Sequence, residues 1–536
     1  MTAPADSSFL AGIAAAGRLG GFDPLLNAAR IAAVAAWGPG IAAMVAASAL
    51  RFPSRVAVID ETRSLTYRDL DRRATNLAAD FRDRAGEGSV GILCRNHAGF
   101  VLAQLAAERA GVDVVMLSTA LPAPKLGEVL ARENVAILVA DDEFRELIDE
   151  SATEALLLSA DGDDSGPEAR ADVDSLFGRS EVARPCRAPR RRSRLVLLTS
   201  GTTGPPKGAR RANRAPRLAD AGLLVQVPYR LGDTFYVAPP LFHAWGLSQA
   251  TTALATASTL ILRRKFDAED TLELMAERRI GVLAVVPLML RRILNIGSPL
   301  AESARRPGLV LSSGNVLAGP LALQWMDRYG DRLYNLYGST EAAIGTIAGP
   351  GELRASPGTV GRPPRGVTLS ILDEQGMPMP PGKSGRVFLS SSMQFTGYTD
   401  GSSGERSGTM LATGDLGYVD DTGLLYVNGR ANDMIVTGGE NVFPSRVEEV
   451  LDQLPEVEMS AVVGIDDDEY GQRVVAFVVP RSGRSIDGAK LRSAAAKELQ
   501  SFMVPKEFVA VEALPMTTTG KVIRHRLAVL GDAKRV

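Results

Sequence analysis

An apolar run, Leu195-Val196-Leu197-Leu198, gives way to Thr199-Ser200-Gly201-Thr202-Thr203-Gly204-Pro205-Pro206-Lys207-Gly208. Glycines let backbone N–H groups approach anionic oxygens, the hydroxyls add neutral donors, and Lys207 supplies a mobile positive charge, so the loop suits a polyphosphate. It is not the Walker pattern, because Lys207 does not close a Gly-x-x-x-x-Gly spacing and no Ser or Thr follows it. Taken alone, such a segment is equally a surface turn.

Further along stand residues whose types complement this loop. Tyr337-Gly338-Ser339-Thr340-Glu341 offers an aromatic face for a purine, hydroxyls for a phosphate and a carboxylate for Mg²⁺, which takes hard oxygen ligands. Asp415, in Ala412-Thr413-Gly414-Asp415-Leu416-Gly417, is unsuited to phosphates but accepts two hydrogen bonds from vicinal ribose hydroxyls well. His243 lies between aromatics in Leu241-Phe242-His243-Ala244-Trp245, where a single histidine is more often packed than catalytic. Near the C-terminus, Thr519-Gly520-Lys521 sets a cation on a glycine turn.

The string from Thr199 to Gly208, with the later motifs in order, resembles the adenylate-forming superfamily of acyl-CoA synthetases, nonribosomal adenylation domains and luciferases, and is most similar to bacterial fatty acyl-CoA ligases. The resemblance runs from Arg55 to Leu527. It implies an ATP-binding loop at Thr199, Ser200, Gly201, Thr202, Thr203 and Lys207. It also implies Tyr337 and Gly338 on adenine, Thr340 at the α-phosphate, Glu341 on Mg²⁺, and Asp415 with Arg430 at the ribose. His243 would position the acyl substrate and Trp245 would wall or gate its tunnel. Ser313-Gly314-Asn315 stands where relatives carry Gly-Gly-Ala against adenine, so Asn315 either adds an amide contact or crowds the base. Lys521 would be the catalytic cation of adenylation, and Gly438 and Gly439 would line the pantetheine tunnel after the C-terminal domain rotates. At the hinge, Asn432 stands where relatives carry Asp or Lys.

The chemistry so implied joins a carboxylic acid to ATP, giving acyl-AMP and pyrophosphate, and then to coenzyme A. Fatty acyl-AMP ligases, which pass the adenylate to a carrier protein, resemble this pattern but carry an insertion between the Glu and Asp motifs; the spacing 415 − 341 = 74 residues is short enough to favour a CoA ligase. The apolar Ala238 to Phe242 lacks the Asp with which amino-acid-activating domains hold an amino group. The expectation is therefore a ligase of medium- or long-chain fatty acids using ATP, Mg²⁺ and CoA. The alternatives are a fatty acyl-AMP ligase and a non-catalytic ATP- or lipid-binding relative, the latter disfavoured by intact Lys207, Glu341, Asp415 and Lys521.

Elements able to hold these residues are legible too. Strand and helix patterns alternate from Arg55-Val-Ala-Val-Ile-Asp60 through Val139, with Thr66 to Asp69 opening a helix that carries Leu70, Ala74, Leu77, Ala78 and Phe81 on one face. This indicates a parallel, doubly wound α/β sheet. The fold expected is a large multi-sheet α/β domain, 55–430, followed by a small mobile α+β domain, 431–536, and preceded by an alanine-rich extension, 1–54. In the small domain, Ser445 to Glu448 reads as a capping box, Ala489 to Leu499 as a helix and Phe508 to Leu514 as a strand.

At 536 residues the chain has room for two or more cores. Its net charge of −2 argues against nucleic-acid binding, and two cysteines with three histidines argue against a disulfide framework or structural zinc. Ile31 to Leu50 is uncharged but mostly alanine and is cut by Gly38-Pro39-Gly40, so it reads as a helical pair packed on the protein or lying on a membrane surface. The arginines between Arg184 and Arg194 read as a solvated linker before the phosphate loop. A cytoplasmic protein fits best. Peripheral contact with the inner face of the cell membrane, and a homodimer, remain compatible with the sequence.

Overall fold

The computed structural model describes residues 18–21, 23–38, 40–161, 175–182, 186, 188, 189, 191–199, 207–212, 222–296, 302, 304–517 and 520–533. Two mainly parallel sheets carry the large domain. In the first the order is Ala343–Ala348, Leu333–Ser339, Leu309–Ser312, Val282–Val285, Thr234–Val237, Thr259–Ile261, Val56–Ile59 and Ser64–Thr66, with only the two edge strands antiparallel. In the second, Leu156–Ser159, Val135–Ala140, Ser89–Leu93, Val114–Met116 and Arg194–Thr199 run parallel, and Lys207–Ala212 and Gly397–Tyr398 close the edge in antiparallel pairs. Central strands such as Ser89–Leu93 are buried along their whole length, as expected where helices cover both faces.

Helices α1 (Pro24–Trp37) and α2 (Ile41–Arg51) form the head of the chain. The uncharged stretch breaks at Gly38 to Gly40, and no described helix is long and apolar enough to cross a membrane. Asp23 caps α1 by accepting the Leu26 N–H and also pairs with Arg51 at 3.0 Å, which ties the start of α1 to the end of α2. Ile41, Ala42 and Val45 of α2 join the main core, so the segment expected as an extension is built into the large domain from Ile41 onward. Helix α3 (Tyr67–Ala85) starts in the expected capping region, where Thr66 and Asp69 satisfy each other's backbone N–H groups. Its predicted inner face is fully buried, against α4 (Ala98–Ala110). Two helices that matter for the site follow, α5 (Ala244–Ala255) and α6 (Pro287–Asn295).

A third, antiparallel sheet holds Thr368–Leu372, Gly385–Ser390, Met410–Val419, Arg406–Ser407 and Leu425–Arg430. The 3₁₀ turn Ala431–Asp433 then leads into the C-terminal domain. Its sheet is Glu440–Val442, Ile435–Thr437, Gly471–Pro480, Val457–Asp467 and Glu507–Ala510, packed on α7 (Pro444–Leu451) over a core of its own.

Three local expectations differ from the structure. Ser445 does not cap α7: Pro444 occupies the first helical turn, so the helix starts earlier, and the Ser445 hydroxyl donates to the Asn428 carbonyl at 2.5 Å. Glu448, freed from capping, accepts the Val462 N–H and the Arg524 guanidinium. The last strand ends at Ala510, opposite Val478; one more backbone bond, from the Val511 N–H to the Val478 carbonyl, follows before the chain leaves the sheet. The helix expected over Ala489 to Leu499 is regular only over Gly488–Ala495.

Candidate active site

Between the domains lies a cleft of about 3210 Å³, several times the roughly 300–1,000 Å³ of a single small-ligand pocket. Its walls bring together Lys207, His243, Ser313, Gly314, Asn315, Tyr337, Gly338, Thr340, Glu341, Asp415, Arg430 and Lys521. Thr199 ends a strand whose backbone pairs with Lys207; Ser200, Gly201, Thr202 and Thr203 lie outside the described residues. Gly438 and Gly439 are not on the cleft wall. They form the two-residue turn of an exposed hairpin, with φ of 59° and 85°, as such turns require.

Asp415 sits on a long strand in register with Arg430, and the guanidinium meets its carboxylate at 2.9 Å. The other carboxylate oxygen accepts the Tyr337 hydroxyl at 2.6 Å, while Thr413 Oγ1 lies 3.1 Å from the same hydroxyl. Burial first, then the Asp415 charge, pushes the Tyr337 phenol well above its ordinary pKa, so it stays a donor. A buried carboxylate aimed by a neighbouring phenol and guanidinium is suited to a diol.

The turn after Tyr337 is held by close packing. A Cβ on Gly338 would come within 2.0 Å of the Ala343 carbonyl, and Ala343 itself takes a φ of 63°, rare for a residue with a side chain. Thr340 and Glu341 project from this turn. Glu341 Oε1 accepts the Tyr398 hydroxyl at 3.0 Å, and Glu341 and Thr340 both line the cleft with oxygen donors of the hard kind that Mg²⁺ prefers. Lys207 reaches the same region, 3.2 Å from Asp400 and 3.1 Å from Ser402 Oγ. Tyr398 and Asp400 carried no sequence signal, since they meet Glu341 and Lys207 only through the sheet edge formed by Gly397–Tyr398.

Lys521 enters from the other domain. Gly520 adopts φ of 74°, and a Cβ there would lie 2.8 Å from Leu288 of α6, so a glycine is what lets the turn dock. Asn315 Nδ2 donates to the Gly520 carbonyl at 3.4 Å, and thus contacts the lysine turn in this arrangement. The Lys521 ammonium remains accessible within the cleft, yet desolvation, and next the Arg430 charge, lower its pKa; Asp415, Glu341 and Asp433 pull the other way. His243 is half-buried and precedes α5. Desolvation and then the nearby Lys521 cation bring its pKa to about 4, so the imidazole is neutral at physiological pH. Trp245 is fixed by its indole N–H bonding to the Val285 carbonyl at 2.9 Å.

From His243 the cleft follows one face of α5 through Ala244, Ser248, Thr251, Thr252 and Ala255. Ser248 and Thr252 donate their hydroxyls to the helix carbonyls of Trp245 and Ser248. Their polarity is largely spent on the helix, and the face shown to the cavity behaves as small and weakly polar. Periodicity alone had left this wall unnoticed.

One further cluster, Cys94, His97 and Asp141, is close enough to suggest a metal. His97 Nδ1 accepts the Gly99 N–H, so Nε2 carries the proton it shares with Asp141 at 2.6 Å, and Asp141 also receives the Arg95 N–H and Arg264. The Cys94 thiol, pushed up by burial, donates to Val139. These side chains stitch strand ends together.

Solved structures carry the same architecture. ATP-bound MatB from Rhodopseudomonas palustris superposes with a TM-score of 0.79 at 28% identity, over 92% of this chain and 98% of that one. Among curated proteins, an uncharacterized acyl–CoA ligase, YhfT, of Bacillus subtilis is 30% identical, spanning 89% of this chain and 95% of its own length. A feruloyl-CoA synthase of an Amycolatopsis species is also 30% identical, over 88% and 95%. The AMP-binding enzyme family model matches residues 45–399, and the AMP-binding enzyme C-terminal domain matches 446–521. The chain belongs to the AMP-binding enzyme family, the adenylate-forming acyl-CoA ligases.

Proposed function

We propose that the protein is an ATP-dependent CoA ligase of long aliphatic carboxylic acids. The observation carrying the aliphatic reading is the uncharged face of α5. It leads away from His243 for twelve residues, about 18 Å at 1.5 Å per residue, which is the extent of roughly a dozen carbon–carbon bonds. Relatives act on acids as different as ferulate, so the substrate class rests on this wall.

In this reading a carboxylate enters beside neutral His243, which positions it without adding charge. The carboxylate attacks the α-phosphorus of ATP, forming the acyl–phosphate bond as pyrophosphate leaves. Glu341 would hold Mg²⁺, which would supply neutralisation of phosphate charge. Lys521, presented by its glycine turn, offsets the repulsion between the two anions, and Asp415 with Arg430 fixes the ribose. The CoA thiol then attacks the acyl carbon, and AMP leaves. Gly438 and Gly439 stand off the cleft here, so their proposed contact with pantetheine needs the C-terminal domain to turn about Ala431–Asp433. Contact of this enzyme with a membrane surface would suit such a substrate.

A panel of carboxylates with Mg-ATP, with and without CoA, followed by mass spectrometry, tests this. Aliphatic acids of about ten or more carbons should give AMP and acyl-CoA together. Preference for aryl acids would overturn the aliphatic reading, and acyl-AMP that CoA never consumes would point to transfer onto a carrier protein.

A further inference from the structure

The cavity continues beyond α5. Past Thr252 and Ala255 it is walled by Arg30 and Val34 of α1, Ile41 and Met44 of α2, and Gln104 and Glu108 of α4. Helix α1 and the start of α2 precede residue 45, where the family match begins, so one wall of this end lies outside that match, while Gln104 and Glu108 lie within it.

Gln104 and Glu108 are one turn apart on a single face of α4. Glu108 is only 8% exposed. Its Oε1 accepts the Ala42 N–H at 3.3 Å at the start of α2, where Gly40 supplies no side-chain cap. A Cβ on Gly40 would lie 1.7 Å from that oxygen, so glycine makes room for the carboxyl. Capping α2 accounts for Oε1 and for Gly40. It leaves Oε2, which accepts a hydrogen bond from no described residue, and the Gln104 amide, which bonds to none either. Both belong to the wall of a cavity whose neighbours at this depth include Val34, Ile41 and Met44.

We propose that Gln104 and Glu108 bind a hydroxyl at the far end of the acyl chain, making the preferred substrate a distally hydroxylated long-chain acid. The inference rests on the aliphatic reading above. Glu108 is buried and Gln104 half-buried, and an amide one turn from a carboxyl offers both donors and acceptors. Desolvation pushes Glu108 up to about 7, so near neutral pH it both donates and accepts, as a hydroxyl does.

The test uses the full chain and acids of matched length ending in methyl, hydroxyl or carboxylate, with a short acid that fills only the space beside His243 as a control. The efficiency of pyrophosphate release, kcat/KM, should favour the hydroxy acid over the methyl acid by about tenfold. Gln104→Leu and Glu108→Leu should erase that preference, Glu108→Gln should keep it, and none should change turnover of the short acid. Gln104 caps nothing, so its variant carries the test if Glu108→Leu fails to fold. Equal or better use of the methyl acid by the wild type, or a preference that survives both leucine variants, would overturn the proposal. If no long acid is activated while short or aryl acids are, the aliphatic reading itself is wrong.

Discussion

The two ends of the cleft are built by opposite means. At the end proposed for the nucleotide, charged side chains come from short motifs and are held by their neighbours: Asp415 by Arg430 and Tyr337, Glu341 by Tyr398, Lys207 by Asp400. At the end proposed for the acyl chain the wall is assembled from α1, α2, α4 and α5, and the Ser248 and Thr252 hydroxyls are turned back onto their own helix. Chemistry that must place charges within a few ångströms needs local, rigid motifs. A surface that must only match the shape of a chain can be collected from anywhere in the fold.

The sharpest way to break this contrast is at Lys521, a charge that the C-terminal domain delivers into the cleft. Lys521→Ala should lower acyl-AMP formation by at least about a hundredfold, the usual cost of losing a donor aimed at developing charge. It should leave conversion of supplied acyl-AMP and CoA near the wild-type rate. Slow turnover of supplied acyl-AMP by the folded variant would deny the one-sided role. Because the Lys521 pKa is lowered in the free enzyme, kcat/KM for ATP should fall with rising pH below the ordinary lysine range, as the ammonium loses its proton. Lys521→Arg should move that limb upward.

A smaller effect is expected at the ribose. Asp415→Asn leaves Arg430 and Tyr337 without their anion, and should raise KM for ATP by about tenfold with little change in KM for the acid. Equal changes in both would show that the two ends are coupled through this strand. By contrast His243, with its pKa near 4, should add no inflection to the pH–rate profile between about pH 6 and 9. His243→Asn should preserve the profile's shape while altering KM for the acid.

The same contrast decides what could be read before the structure. Thr66 with Asp69, the buried face of α3 and the alternation of strands and helices were legible because each rests on spacing within one turn or one strand. The motifs also marked Tyr337, Glu341, Asp415 and Lys521 as candidates, and all four line one cleft. Tyr398 and Asp400 were not marked, since their partners arrive across a sheet edge. Ser445 misled because a capping pattern says nothing about Pro444 beside it, nor about an Asn428 carbonyl offered by the preceding domain. Glu108 gave no signal, because a glutamate on an apolar helix is informative only once the cavity beside it is seen.

The smallest expected effect lies at the joint between the domains, where the two halves of the reaction can be separated. Arg291 of α6 reaches across to Asp452 at 2.7 Å and to the Glu458 carbonyl at 3.2 Å. Burial raises the Asp452 pKa, and Arg291 offsets this only in part, so the carboxylate relies on the guanidinium while the domains are docked as seen here. At the turn proposed as the hinge, Asn432 is exposed and its side chain bonds to none of the described residues. Arg291→Met should therefore weaken this docking by about 1–2 kcal/mol. Because a docked majority is only partly depleted, adenylation should slow by no more than a few-fold, and thioester formation should be unchanged or faster. Asn432→Pro fixes φ near −65° and removes an N–H, and should do the opposite, slowing thioester formation more than adenylation. Single-turnover measurements of the two half-reactions on both variants give the comparison. If both variants slow both halves equally, the joint does not select between them, and the docked arrangement serves the whole reaction.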